Sequence, residues 1–198
     1  MTREASLPAQ AQPAPLHRGW LQGIRHSPSP NFGPRPAHTP IDLIVVHAIS
    51  LPPGQYGGPE VEQLFTNRLN WDDHPYFDSI RGIEVSAHFF IRRTGEVLQF
   101  VSCDDRAWHA GRSSFQGRDN CNDFSIGIEL EGLDGLMFDD AQYQSLSAVI
   151  QAVIQVYPIK HITGHEHIAP GRKTDPGAGF DWPRLRQLLR NILLDWPA

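Results

Sequence analysis

The sequence predicts a single α/β domain of the mixed α+β kind, with a central mixed β-sheet flanked by helices. Three observations carry that expectation. The chain has 198 residues, 40% of them hydrophobic and 20% charged, which is enough for one well-buried core and short for two. Its apolar residues fall into strand-like runs and into helical stripes. These elements intermix without the strict alternation of a doubly wound fold, so a mixed sheet packed by a few helices fits better.

Residues 1–18 are rich in Pro, Ala and Gln without periodicity and predict a disordered N-terminal extension, leaving 19–198 as the folded domain. A Pro-rich connector leads into IDLIVVHAIS (41–50), whose β-branched run reads as a strand covered on both faces, with His47 near its C-terminal end. LPPGQYGGP is a loop by its Gly and Pro content. VEQLFTNRL (61–69) then carries Val61, Leu64, Phe65 and Leu69 on one helical stripe.

VSAHFFIRRTGEVLQFVS (85–102) reads as a β-hairpin turning at Thr94-Gly95. FSIGIELEG (124–132) alternates, with Ile126, Ile128 and Leu130 on one face and Gly127, Glu129 and Glu131 on the other. DDAQYQSLSAVIQAVIQVY (139–157) is a helix with Asp139 at its cap and Gln142 three residues on. HITG (161–164) is a brief strand. The last element, FDWPRLRQLLRNILLDW, is a helix capped by Asp181 with Leu185, Leu188, Leu189, Ile192 and Leu193 toward the core.

Charge and composition exclude several classes of function. A net charge of −5 and a pI near 6.0 leave no basic footprint for nucleic acid. No apolar run approaches the roughly 20 residues that span a bilayer, and the N-terminus lacks the apolar core of a secretory signal. No membrane partner is expected, and the protein is expected in the cytoplasm. Oligomeric state is not legible. Cys103 and Cys121 form no CxxC pair, which suits free thiols and excludes a thiolate-only metal site.

The stretch GHEHIAPGRKTDPG (164–177) concentrates groups that bind metals. A catalytic zinc takes three nitrogen or oxygen ligands and keeps a fourth position open. His47 at a strand end and His165, His167 and Asp175 in this loop are the candidates. Side chains alternate in an extended segment, so only one of His165 and His167 should reach a shared ion, and spacing alone does not choose between them. With 10 histidines in the chain, any single one is more often a structural group than a ligand. By the same standard Glu129 and Glu131 are ordinary solvated or salt-bridged carboxylates, and Arg172 and Lys173 an ordinary surface pair.

VVHAIS, SAHFFIRRTGEVLQFV, AWHAG, CNDFSIGIELEG and GHEHIAPGRKTDPG, in that order from about Trp20 to Trp182, resemble the zinc-dependent N-acetylmuramoyl-L-alanine amidases related to phage lysozyme amidases and peptidoglycan recognition proteins. Within that superfamily the chain is most similar to the cytosolic 1,6-anhydro-N-acetylmuramyl-L-alanine amidases, and HPYF (74–77) and the FDW after DPG resemble the same branch. The resemblance implies Zn2+ on His47, His165 and Asp175, with His165 preferred over His167 because it follows Gly164 in the family's GH motif. It implies Glu129 as general base and Lys173 as the partner of the oxyanion. Two neutral imidazoles and one carboxylate would leave the ion with residual positive charge, lowering the pKa of its water from about 15.7 toward roughly 7.

The implied substrate is a 1,6-anhydro-muropeptide, cut between the lactyl group of the sugar and L-alanine. Trp108 and His109 of AWHAG would line its pocket, and Arg172 would pair with a stem-peptide carboxylate. The branch has asparagine after the first ligand, VVHNIS, where this chain has Ala48; the departure bears on substrate affinity more than on metal binding. Two rivals share parts of the pattern. A muropeptide-binding module without catalysis would lack one of the ligands, and a non-haem Fe(II) oxygenase would place two histidines and a carboxylate on an all-β jelly roll rather than among amphipathic helices. A periplasmic amidase acting on intact wall would differ only in address.

Overall fold

The computed structural model describes residues 15–197. Most of the expected extension, residues 1–14, lies outside the described residues. Within them, Leu16–His17 already pairs antiparallel with Trp20–Leu21, ahead of the boundary read at residue 19. Gln99 anchors this hairpin: its Oε1 accepts from Leu21 N–H at 2.8 Å and its Nε2 donates to Gly19 O at 2.7 Å.

The main sheet contains β1 (Arg25–His26), β2 (Leu43–Ile49), β3 (Phe89–Ile91), β4 (Val97–Gln99), β5 (Ser125–Glu131) and β6 (His161–Gly164), in the spatial order β6-β2-β5-β3-β4-β1. β6, β2, β5 and β3 run parallel, whereas β3 and β4 form the expected antiparallel hairpin. The sheet is therefore mixed. The hairpin turns at Gly95, whose φ of +86° glycine adopts without steric cost.

Both faces of β2 are covered, as its unbroken apolar run predicts. On one face Ile44 and Val46 join Ile126, Ile128 and Leu130 in the largest core cluster, beneath α2 (Asp140–Ile154) and α4 (Trp182–Leu188). On the other, Leu43 and Val45 meet Cys121, Phe124 and Ile168, while Phe90 and Leu98 join a separate cluster with Leu64 and Phe65 of α1 (Glu60–Phe65). Between these two clusters the same sheet face carries polar side chains. His47 and Glu129 lie there as register partners on adjacent parallel strands.

Helix ends follow the sequence pattern at the start of α2 and leave it elsewhere for local reasons. At the start of α2, Gln142 Oε1 accepts from Asp139 N–H at 3.0 Å, while its Nε2 donates to Ile91 O at 3.3 Å and to Glu131 O at 3.0 Å, so one side chain caps the helix and stitches it to β3 and β5. Asn67 takes a left-handed conformation, and α1 ends at Phe65 although Leu69 is still buried. The sequence expectation for the last helix is corrected beyond Leu188: Leu185 and Leu189 are buried, but Leu193 is 97% exposed. The chain there leaves the helix to lie along β6, with Asp195 N–H donating to Lys160 O at 2.8 Å and Ile162 N–H to Asp195 O at 3.0 Å. Pairing with the sheet edge overrides helical periodicity.

Burial and exposure separate two leucines in a way that stability measurements read directly. Leu146→Ala, in the middle of the main core, is expected to lower unfolding free energy by about 2–5 kcal/mol in urea titrations. Leu193→Ala is expected to change it by less than about 0.5 kcal/mol.

Candidate metal centre and active site

In an open sheet with parallel strands, ligands bind outside the carboxyl ends of the strands. β6, β2 and β5 send their C-terminal ends to one edge, and the chemistry collects there. His47 and Glu129 come from β2 and β5. β6 passes directly into a short helical turn, α3 (His165–Ile168), whose first residue is His165. The following loop returns Asp175, and Glu166 N–H donates to Asp175 O at 2.8 Å, which ties the loop to the turn.

His47 Nδ1 lies 2.9 Å from His165 Nδ1 and 3.2 Å from Asp175 Oδ2, and His165 Nδ1 lies 3.1 Å from the same oxygen. His165 donates its other nitrogen, Nε2, to Ala110 O at 3.2 Å, which leaves Nδ1 with a lone pair. His47 turns Nε2 to His109 Nδ1 at 2.9 Å. Metal–nitrogen bonds of about 2.0–2.1 Å in tetrahedral coordination place neighbouring ligand atoms roughly 3.3–3.4 Å apart, close to this triangle. The three side chains thus fit a metal site. His167 is excluded: the segment is a helical turn rather than extended, and His167 is exposed, with its Nδ1 accepting from Gly164 N–H at 3.1 Å.

Glu129 and Glu131 are distinguished by their partners. Glu131 accepts from the backbone N–H groups of Gly57 at 2.6 Å and Arg93 at 2.9 Å and lies 3.6 Å from Arg92 Nη1, a structural tie between loop and sheet. Glu129 has Oε1 at 3.9 Å from His47 Nδ1, and its buried Oε2 has no hydrogen-bond partner among the described residues. Burial drives the Glu129 carboxyl well above the usual carboxylate range; the charge of Asp175 adds to this and Lys173 opposes it. Burial works the same way on Asp175, but the ring nitrogens of His165 and His47 outweigh it and hold Asp175 low. Environments that push two carboxyl groups apart in this way suit one to carry a proton and the other to stay anionic.

These groups open into a cleft of about 440 Å³ lined by residues including Trp108, His109, Lys173, Ile83 and Leu133. Lys173 is exposed at its mouth. Arg172 Nη2 donates to Ala110 O and Arg112 O, each at 2.7 Å, and the residue makes no ion pair among the described residues. Trp108 is half-buried, its N–H donating to Ser86 Oγ at 3.0 Å. Ala48 reaches the rim of the cleft but packs against the main core, on the strand face opposite His47. His109, expected in the pocket wall, touches the cleft yet spends Nδ1 on His47 and Nε2 on Ser125 Oγ at 3.1 Å. Ser125 and the Ala110 carbonyl are participants that sequence reasoning missed. The signal for Ser125 was present, since it shares a strand face with Gly127 and Glu129.

The buried imidazoles set a pH dependence. Burial, then the neighbouring His165, lowers His47 from 6.5 to about 4; burial, then Arg35, lowers His88 to about 3. Rings held neutral in the fold but free to protonate on unfolding contribute stability that is complete above about pH 6.5 and is lost as pH falls toward 4. Chelator-treated protein is therefore expected to unfold at lower urea at pH 5 than at pH 7.5. Glu129, shifted upward, works in the opposite sense, so Glu129→Gln should steepen the loss; equal midpoints at the two pH values in both proteins would refute this reading.

Comparison with known proteins fits this geometry. The family model of N-acetylmuramoyl-L-alanine amidases matches residues 37–178. The chain is 56% identical over 176 residues to the 1,6-anhydro-N-acetylmuramyl-L-alanine amidase AmpD of Escherichia coli strain K12, covering 88% of this chain and 96% of that one. It superposes on a crystal structure of a selenomethionine AmpD derivative with a TM-score of 0.84 at 55% identity, over 87% of this chain and 98% of the other. A more distant structure is that of the E. coli N-acetylmuramyl-L-alanine amidase AmiD in complex with anhydro-N-acetylmuramic acid-L-Ala-D-gamma-Glu-L-Lys. It matches at TM-score 0.58 and 29% identity, over 82% of this chain and 62% of that one. The parallel strand ends, the His-His-Asp triangle and the unpartnered Glu129 therefore belong to a chain that is a member of the N-acetylmuramoyl-L-alanine amidase family.

Proposed function

We propose that this protein hydrolyses the amide between the lactyl group of 1,6-anhydro-N-acetylmuramic acid and the L-alanine of a stem peptide, with Zn2+ held by His47, His165 and Asp175. The substrate is the soluble muropeptide released when wall is recycled, and the compartment is the cytoplasm. One observation carries the reading: a buried, unpartnered glutamate with a raised pKa beside three converging ligand atoms. A binding module needs the cleft but has no use for such a carboxyl group.

When bound, the ion supplies Lewis-acid activation of water and of the scissile carbonyl. The chain's own residues do the rest. Glu129, acting as the carboxylate, takes a proton from the attacking water, holds it in a buried setting that favours the protonated form, and delivers it to the departing alanine nitrogen, so one group serves as base and then as acid. Lys173, at the mouth beside Asp175, offers its ammonium to the negative charge that develops on the carbonyl oxygen. Asp175, held anionic by the His165 and His47 rings, would serve as the carboxylate that holds the ion. Trp108 presents its indole to the sugar. Arg172, without an ion pair, is placed to receive a stem-peptide carboxylate. Ala48 removes a side-chain donor that asparagine would offer at the rim.

The test is release of stem peptide from 1,6-anhydro-N-acetylmuramyl-tripeptide, run beside intact sacculi, with and without chelator. Activity is expected on the soluble substrate, lost with chelator and restored by zinc. Glu129→Gln is expected to lower kcat by about 10²–10⁴-fold, and Lys173→Ala by about 10²–10³-fold. Tight binding of muropeptide by zinc-loaded protein without release would overturn the enzymatic reading, and faster release from sacculi would overturn the assignment to recycling.

A further inference from the structure

Behind His47 the hydrogen bonds run in one direction only, and the direction can be worked out from the far end. Ser125 Oγ lies 2.6 Å from the carbonyl oxygen of Cys121, an atom that can only accept, so the hydroxyl proton points there. Ser125 Oγ is then an acceptor toward His109 Nε2 at 3.1 Å, and that nitrogen must carry its proton. A neutral imidazole has one N–H, so His109 Nδ1 is an acceptor. His47 Nε2, 2.9 Å away, must donate to it. His47 Nδ1 is left with its lone pair facing His165 Nδ1 and Asp175 Oδ2. Ala110 O assigns the same tautomer to His165.

Three acceptors then converge with no donor among them, an arrangement that a cation resolves. The fold makes room for this series deliberately. His109 lies flat on β5 at Gly127, where any Cβ would collide with its ring. Ser125 and Gly127 occupy the same strand face as Glu129, two and one alternate positions earlier.

From this geometry we propose that His109 is a positioning residue: the series Cys121 carbonyl, Ser125, His109 holds His47 in the tautomer and ring orientation that present Nδ1 to the metal. The proposal deepens the metal-site reading and rests on it for His47, whereas the His109 tautomer can be read with or without metal. It replaces the expectation that His109 serves mainly as pocket wall. Outer partners of a metal-bound imidazole of this kind alter metal affinity by about 10–100-fold when removed.

The experiment combines two measurements on the full chain. Long-range 1H–15N correlation spectra of histidine-labelled, zinc-loaded protein should show both His109 and His47 protonated at Nε2, and the metal-free protein should show the same for His109. Zinc dissociation constants, taken by competition with a chromophoric chelator, should rise about 10–100-fold in His109→Leu. They should return to within a few-fold of wild type in His109→Asn, whose Oδ1 can replace the Nδ1 acceptor. Ser125→Ala should leave the protein folded and allow His109 to populate its other tautomer. A wild-type His109 protonated at Nδ1, or wild-type zinc affinity in a folded His109→Leu, would overturn the proposal. Failure of the wild type to bind zinc would instead overturn the metal-site reading, and the metal-free spectrum would still decide the His109 tautomer.

Discussion

Two ring nitrogens and a carboxylate oxygen are held within 3.2 Å of one another, and much of the remaining architecture serves to keep them there. Acceptors crowded this closely repel unless something positive lies between them, so the surrounding structure must supply rigidity. It does so through the parallel arrangement of β6, β2 and β5, which brings three carboxyl ends to one edge at fixed spacing. The main core clamps the opposite face of these strands with α2 and α4. Two smaller apolar clusters flank the site on its own face.

Burial then differentiates groups of similar chemistry. Glu129 and Glu131 sit two residues apart on the same strand face, yet Glu131 is saturated by backbone N–H groups and by Arg92, while Glu129 keeps an oxygen without a partner. The first is fixed as structure and the second is left able to carry a proton. His88 and His109 show the same division of labour. Both are deeply buried rings, but His88 accepts from Gly127 N–H and approaches Asp105 O, whereas His109 contacts His47.

The fold was legible where periodicity was strong. The β-branched run at 43–49, the hairpin around Gly95 and the capped helix from Asp140 lie where the pattern places them, because an unbroken apolar run marks a strand buried on both faces, and a Gly turn and a capped one-sided stripe mark a hairpin and a helix. Leu193 was misjudged because a helical stripe carries no information about a competing strand edge, and the edge wins through backbone pairing at Asp195. At the site, residue types narrowed the ligands to His47, Asp175 and one of two histidines, and the resemblance chose between them. The structure makes that choice for a different reason than expected: His165 and His167 diverge around a helical turn, not along an extended strand. What no pattern could convey was direction within the hydrogen-bond series, since it is set by the carbonyls of Cys121 and Ala110, and backbone acceptors leave no mark in the sequence.

The pairing of Asp195 with β6 has a mechanical side. Without the segment around Asp195, β6 would be the outermost strand, and its unpaired N–H and C=O groups would form a template for foreign chains. The tail closes that edge through two backbone hydrogen bonds, and His161 Nδ1 lies 3.0 Å from Asp195 Oδ2. Because β6 runs straight into His165, the same closure braces the strand that positions this imidazole. Cleavage between α4 and Asp195 would loosen His165 from behind and expose a sticky edge at once, coupling loss of activity to self-association.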